Sequence, residues 1–99
     1  MSHFESAEAL TSEYIAPRNE IEKLIADIWS EVLGITKIGV TDDFLDLGGQ
    51  SLQAIRIVTR INEAIQLDFP VTVVFDEPSI AKLSKRVESF IHDQLINNR

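Results

Sequence analysis

Cysteine is absent from these 99 residues. That excludes a disulfide scaffold, a thiolate zinc site, an iron–sulfur cluster and a cysteine nucleophile. Packing alone must hold the fold, which is demanding at this length. Histidine is nearly absent: His3 and His92 stand far apart and form no ligand pair of the His-Glu-x-x-His kind, so no metal centre is expected. Cations are scarce, with nine Lys and Arg against sixteen Asp and Glu and a net charge of −7. Such a chain lacks the phosphate-facing cations of a nucleic-acid partner, and a membrane surface is disfavoured for the same reason. No apolar run approaches the roughly 18 residues of a transmembrane helix. Residues 1–16 lack the basic start and apolar stretch of a secretory signal. The expectation is a single-domain, soluble, cytoplasmic monomer.

What is present is a helical pattern. Residues 1–16 are polar and small without sustained period and are read as a flexible tail or linker, followed by a domain over 17–97. Asn19 followed by Glu22 has the form of a capping box. Ile21, Leu24, Ile25, Ile28, Val32 and Leu33 then recur at helical spacing up to Gly34, predicting a helix over 20–33 with Trp29 on its flank and partly buried. Residues 35–50 form a long connection, with Thr41-Asp42 able to cap a short turn through Leu47; a loop of that length in a small domain is commonly functional. Ala54, Ile57, Val58, Ile61 and Ile65 mark the next helix. Val71 to Phe75 is β-branched and apolar, but no partner strand is in view, so a short helix or turn is expected. Ser79 caps the last helix, whose buried face is Ile80, Leu83, Val87, Phe90 and Ile91, with fraying at Asn97-Asn98-Arg99. Amphipathic helices must hide their stripes on one another, so the fold class is all-α, a bundle of three longer helices and one short one.

The chemistry concentrates in Asp43-Phe44-Leu45-Asp46-Leu47-Gly48-Gly49-Gln50-Ser51-Leu52. Charge changes here: Asn19 to Ser51 carries −5, and Leu52 to Arg99 is neutral. The glycine pair allows a sharp turn and leaves room for something bulky. Ser51 then stands at a helix mouth, where free N–H groups and the dipole favour a phosphate ester. An ordinary N-cap after an ordinary turn accounts for the same residues. A nucleophilic serine needs a positioned base, and only His3 and His92 are available. The Gly-x-Ser-x-Gly elbow is incomplete because residue 53 is Gln53. No P-loop is present, and Asp42, Asp43 and Asp46 do not have the spacing of an EF-hand.

This stretch resembles the attachment motif of peptidyl carrier (thiolation) domains of nonribosomal peptide synthetases, within the phosphopantetheine-binding, acyl-carrier-like family. Tyr14-Ile15-Ala16-Pro17-Arg18-Asn19-Glu20 resembles the lead-in to such a domain. Ile28-Trp29, Val32-Leu33-Gly34 and the run from Phe69-Pro70 through Phe75 and Pro78-Ser79-Ile80 to Leu83 extend the likeness over residues 14–90. The resemblance implies a four-helix bundle of the acyl-carrier type without catalysis of its own. It implies a phosphopantetheinyl transferase that moves 4′-phosphopantetheine from coenzyme A onto Ser51, within a cofactor-binding stretch of Gly48, Gly49, Gln50, Ser51 and Leu52. Aminoacyl or peptidyl groups would be held as thioesters and presented to adenylation, condensation, thioesterase or tailoring enzymes.

Several positions depart from the family pattern. Gln50 stands where His or Asp is usual, which leaves the class of partner open. Leu45 replaces a Phe and is read as a volume-compatible core change. Gln66 replaces a frequent Gly and is read as extending the second helix. Ile55 and Val73 occupy positions usually polar and, with Leu52, are expected to form an apolar docking patch beside Ser51. Arg56 and Arg60 are candidates for pairing with Asp42 or Asp43, or with acidic groups of a partner; Arg56 is counted with the docking residues. An acyl carrier of polyketide or fatty acid type is the nearest alternative, but Arg56 and Arg60 sit in a helix that is usually more acidic there. A carrier-like module that only docks, and a small helical hydrolase, are further alternatives. Either a freestanding carrier or an excised domain suits the chain.

Overall fold

The computed structural model describes residues 14–97 as four helices joined by one long and two short connections. Helix α1 spans Glu20–Leu33, α2 Ser51–Ile65, α3 Val73–Asp76 and α4 Ile80–Asn97. The only β feature among the described residues is an isolated antiparallel bridge between Asp43 and Ser79. The β-branched run at 71–75 thus turns helical, because an unpaired strand would leave its backbone polar groups unmet.

Local chemistry sets the ends of α1. The Asn19 side chain accepts the Glu22 N–H at 2.9 Å, and Gly34, at φ +72°, closes the helix by donating to the Ser30 carbonyl. Glu22 departs from the capping-box reading. Its carboxylate passes over Asn19 and accepts from the Arg18 backbone N–H (2.8 Å), Nε (3.1 Å) and Nη2 (2.7 Å). These bonds let a carboxylate lie buried on the inner face of α1.

The core joins Ile25, Ile28 and Trp29 of α1, Ile57, Val58 and Ile61 of α2, and Ile80, Leu83 and Val87 of α4, with Val40 and Phe44 from the long loop. Trp29, expected on the flank and partly buried, is completely buried. The inner face of α1 centres on Glu22, Ile25, Ala26 and Trp29, and Ile21, Leu24 and Val32 are only half-buried. The cause is the loop, which lays Phe44 edge-to-face on Trp29 with centroids 5.6 Å apart. Phe90 corrects the reading of α4: it is exposed beyond the bundle core, in contact with Phe69.

Two boundaries also move. Tyr14 to Ala16, assigned to the tail, belong to the folded unit: the Ile15 carbonyl accepts the Val40 N–H at 2.9 Å, and the Lys37 ammonium sits over the Tyr14 ring. The remainder of the expected tail, His3 with it, and the fraying residues Asn98 and Arg99 lie outside the described residues. Gln66 does not extend α2; it terminates it in the left-handed conformation, φ +58°. No helix among the described residues is long and apolar enough to cross a membrane.

Candidate functional site

The loop over residues 38–50 is built inward from its carboxylates. Asp42 Oδ2 accepts the Gly39 N–H at 2.8 Å. Asp43 Oδ1 accepts from the N–H groups of Leu45 (2.8 Å) and Asp46 (3.3 Å), an Asx turn that starts the tight stretch 44–48. Asp43, one place after the expected Thr41-Asp42, is therefore the cap of that turn. These two carboxylates serve the loop backbone. The far end of the loop is tied to the α3–α4 connection: the Phe44 N–H donates to the Pro78 carbonyl at 2.6 Å, beside the Asp43–Ser79 bridge.

The two glycines have different duties. Gly48 has φ +87°, where an L side chain is strained, and its own surroundings are open. Gly49 has no such torsion but no room. A Cβ there would come within 3.0 Å of three atoms of the Phe44 ring, and the Gly49 N–H donates to the Phe44 carbonyl at 3.0 Å. Gln50 is the extended N-cap of α2, and its N–H donates to the Gln53 side chain at 3.0 Å. Residue 53, the departure that ruled out a hydrolase elbow, is thus the capping partner of the helix.

Ser51 is the first helical residue of α2 and is exposed. Its hydroxyl stands beside first-turn N–H groups that no preceding turn can satisfy, and the first turn holds no acidic residue. A phosphodiester at this hydroxyl would gain about 0.5 kcal/mol from the helix dipole. The residues therefore fit a phosphorylated arm: an accessible hydroxyl, local positive potential and a glycine turn that keeps side chains out of the way. His92 is exposed far along α4.

The profile of the family described as "phosphopantetheine attachment site" matches residues 23–87. The chain belongs to this family. Its relatives place it among the carriers of peptide assembly. It is 51% identical over 75 residues to surfactin synthase subunit 3 of Bacillus subtilis, covering 76% of this chain and 6% of that protein. It is 46% identical over 72 residues to tyrocidine synthase 3 of Brevibacillus parabrevis, covering 73% of this chain and 1% of that one. The chain thus spans a small fraction of the length of these synthetases. Among solved structures, the peptidyl carrier protein bound to the phosphopantetheine transferase Sfp and coenzyme A superimposes with a TM-score of 0.74, at 36% identity, over 77% of this chain and 99% of that one. The protein is a peptidyl carrier domain of the nonribosomal peptide synthetase kind, and its cofactor is 4′-phosphopantetheine.

Around Ser51 the carrier domain shows an apolar surface that differs from the expected one. Leu52 and Ile55 are exposed, at 58% and 45%. Val73 is not: it is buried at 2% because it opens α3, which packs on α2. Leu45, read as a core change, is 59% exposed, because the Asx turn aims Phe44 inward and Leu45 outward. Phe75, missed from sequence, is 41% exposed and touches the Phe44 ring edge-to-face at 5.8 Å. Arg60 pairs with Glu31 of α1, not with the loop aspartates, while Arg56 is exposed and has no ion-pair partner among the described residues. A cleft of about 290 Å³ between α1 and α2 is lined by Val32, Ile55, Arg56 and Thr59 and closed by the Glu31–Arg60 pair.

Proposed function

We propose that Ser51 Oγ is the attachment point of the arm, and that the domain serves as a non-catalytic shuttle between the enzymes of a peptide assembly line. The observation that carries this reading is an exposed hydroxyl at the first position of α2, directly after the Gly48-Gly49 turn and within the family match. In the transfer, Ser51 Oγ forms a bond to the phosphorus of the pantetheine phosphate. The pyrophosphate bond of coenzyme A breaks, adenosine 3′,5′-bisphosphate leaves, and the hydroxyl proton passes to a base of the transferase. When attached, the group supplies a thiol on a flexible arm, on which aminoacyl or peptidyl cargo rides as a thioester. The chain contributes the anchor and a docking face for a transferase and for adenylation, condensation, thioesterase or tailoring enzymes.

Leu52, Ile55 and Arg56 make up that face, with Leu45 and Phe75 replacing Val73. Ser51 to Asn62 contains two arginines and no carboxylate in a chain of net charge −7. That local balance supports the peptidyl reading over an acyl carrier of polyketide or fatty acid type. The test is intact mass after incubation with coenzyme A, Mg²⁺ and a broad-specificity phosphopantetheinyl transferase. One phosphopantetheine is expected on the native chain and none on Ser51→Ala. A folded native chain that gains no mass would sink the assignment and favour a module that only docks.

A further inference from the structure

We infer that Phe44 is a positioning residue for the transfer at Ser51: its buried ring, seated under Gly49, fixes where the start of α2 stands. The inference rests on the assignment of Ser51 as the attachment point. Phe44 is completely buried and held from several sides. Trp29 and Phe75 meet its ring edge-to-face at 5.6 and 5.8 Å, and the Phe44 N–H is tied to the Pro78 carbonyl. The ring cannot withdraw without disturbing the centre of the core. On its remaining side it lies where a Gly49 side chain would begin, and the Phe44 carbonyl receives the Gly49 N–H. Only Gln50 stands between Gly49 and Ser51, and Gln50 is fixed by its bond to Gln53. The backbone from 49 to 51 is therefore clamped between the aromatic ring below and the first turn of α2 above. A side chain at residue 49 must lift this segment, and a smaller side chain at residue 44 must let it sink. In either case Ser51 Oγ moves relative to Ile55 and Arg56, the part of the docking face one turn further along α2.

The test is a two-variant cycle with Gly49→Ala, Phe44→Leu and the double substitution. It is read by steady-state transfer from coenzyme A, by thermal unfolding and by amide hydrogen exchange at residues 49–53. Gly49→Ala is expected to lose about tenfold in kcat, since small displacements of a reacting group cost rate steeply. The KM for the carrier should change little because Leu52 and Ile55 are untouched. In the double variant the shorter Leu makes space for the added methyl. Its kcat should recover most of the loss even though it is the least stable of the set. A purely structural role would make the double variant the slowest as well. Faster exchange at the Ser51 and Leu52 amides in each single variant, reversed in the double, is expected independently of transfer. If Gly49→Ala does not fold, Phe44→Leu carries the same exchange and kcat readings. Native kcat in the singles, or a double variant no faster than Gly49→Ala, would overturn the inference. Loss of transfer in the unsubstituted protein would instead strike the Ser51 assignment, with the exchange pattern still deciding the role of Phe44.

Discussion

The Glu22 carboxylate is the residue that most clearly contradicts its sequence pattern. It is buried, yet Arg18 answers it with a backbone N–H and two guanidinium donors. Chiefly the side-chain hydrogen bonds of Arg18, opposed by burial, hold its pKa below the usual carboxylate range. A depressed folded-state value gives a definite sign: the pair's stabilisation is present in full above the ordinary glutamate range and is lost as pH falls through the folded value. Thermal unfolding of the native chain and of Glu22→Gln, scanned from neutral pH downward, should show a native advantage that shrinks as the medium becomes acidic. A gap constant across the scan would mean that the charge on Glu22 contributes nothing. At the same scale, the separate duties of Gly48 and Gly49 could not be told apart from the letters: one glycine answers a torsion and its neighbour answers the ring of Phe44, five residues earlier.

Helices α1, α2 and α4 were legible because their apolar residues recur at helical spacing and their ends carry local signals. The Asn19 cap, the Gly34 stop and the Ser79 cap, whose Oγ accepts the Lys82 N–H at 3.2 Å, each act within a few residues. The end of α2 was not legible, since it depends on a contact across the loop. Asn62 donates from Nδ2 to the Phe69 carbonyl (3.0 Å) and accepts the Phe69 N–H at Oδ1 (2.9 Å), while its own carbonyl receives the N–H groups of Gln66 and Leu67. This reciprocal pair stitches residues 66–69 onto α2 and lets Gln66 end the helix in place of a glycine. Asn62→Ala leaves both Phe69 backbone groups without their partner, a loss of about 2 kcal/mol. For a domain of this size that lowers Tm by roughly 10 °C, measurable by circular dichroism. A shift of less than about 2 °C would show that water replaces Asn62 there without cost.

On the proposed function, the carrier as a whole must stay folded while different enzymes use the same end of it. The folding stripe of α2 (Ala54, Ile57, Val58, Ile61) and its exposed side (Leu52, Ile55, Arg56) are different faces of one helix. Substitutions on the exposed side should therefore separate function from stability. Leu52→Asp and Ile55→Asp are expected to weaken loading and processing by partner enzymes at least several-fold while leaving Tm nearly unchanged, because neither side chain enters the core. Both variants processed at native rates would remove the docking role from this face. Val73 illustrates why such a face cannot be drawn from sequence alone. It was expected on the exposed patch with Leu52 and Ile55, but the packing of α3 on α2 turns it inward and leaves Phe75 outside.

By itself the sequence determined the number and kind of helices, the caps at Asn19, Gly34 and Ser79, the long loop and the serine that opens α2. Those features follow from periodicity and from residues that act on backbone groups a few positions away. It also excluded a thiolate among the chain's own side chains and a strongly basic surface of the chain itself, because composition bounds these directly. Only the tertiary structure decided which face of α1 centres on Trp29, that Leu45 and Phe75 are exposed while Val73 is buried, that Arg60 answers Glu31, and that Phe44 lies beneath Gly49. The physical reason is common to all four. Each depends on how the loop over residues 38–50 and the short α3 settle against helices distant in sequence, and packing of that kind leaves no periodic trace in the chain.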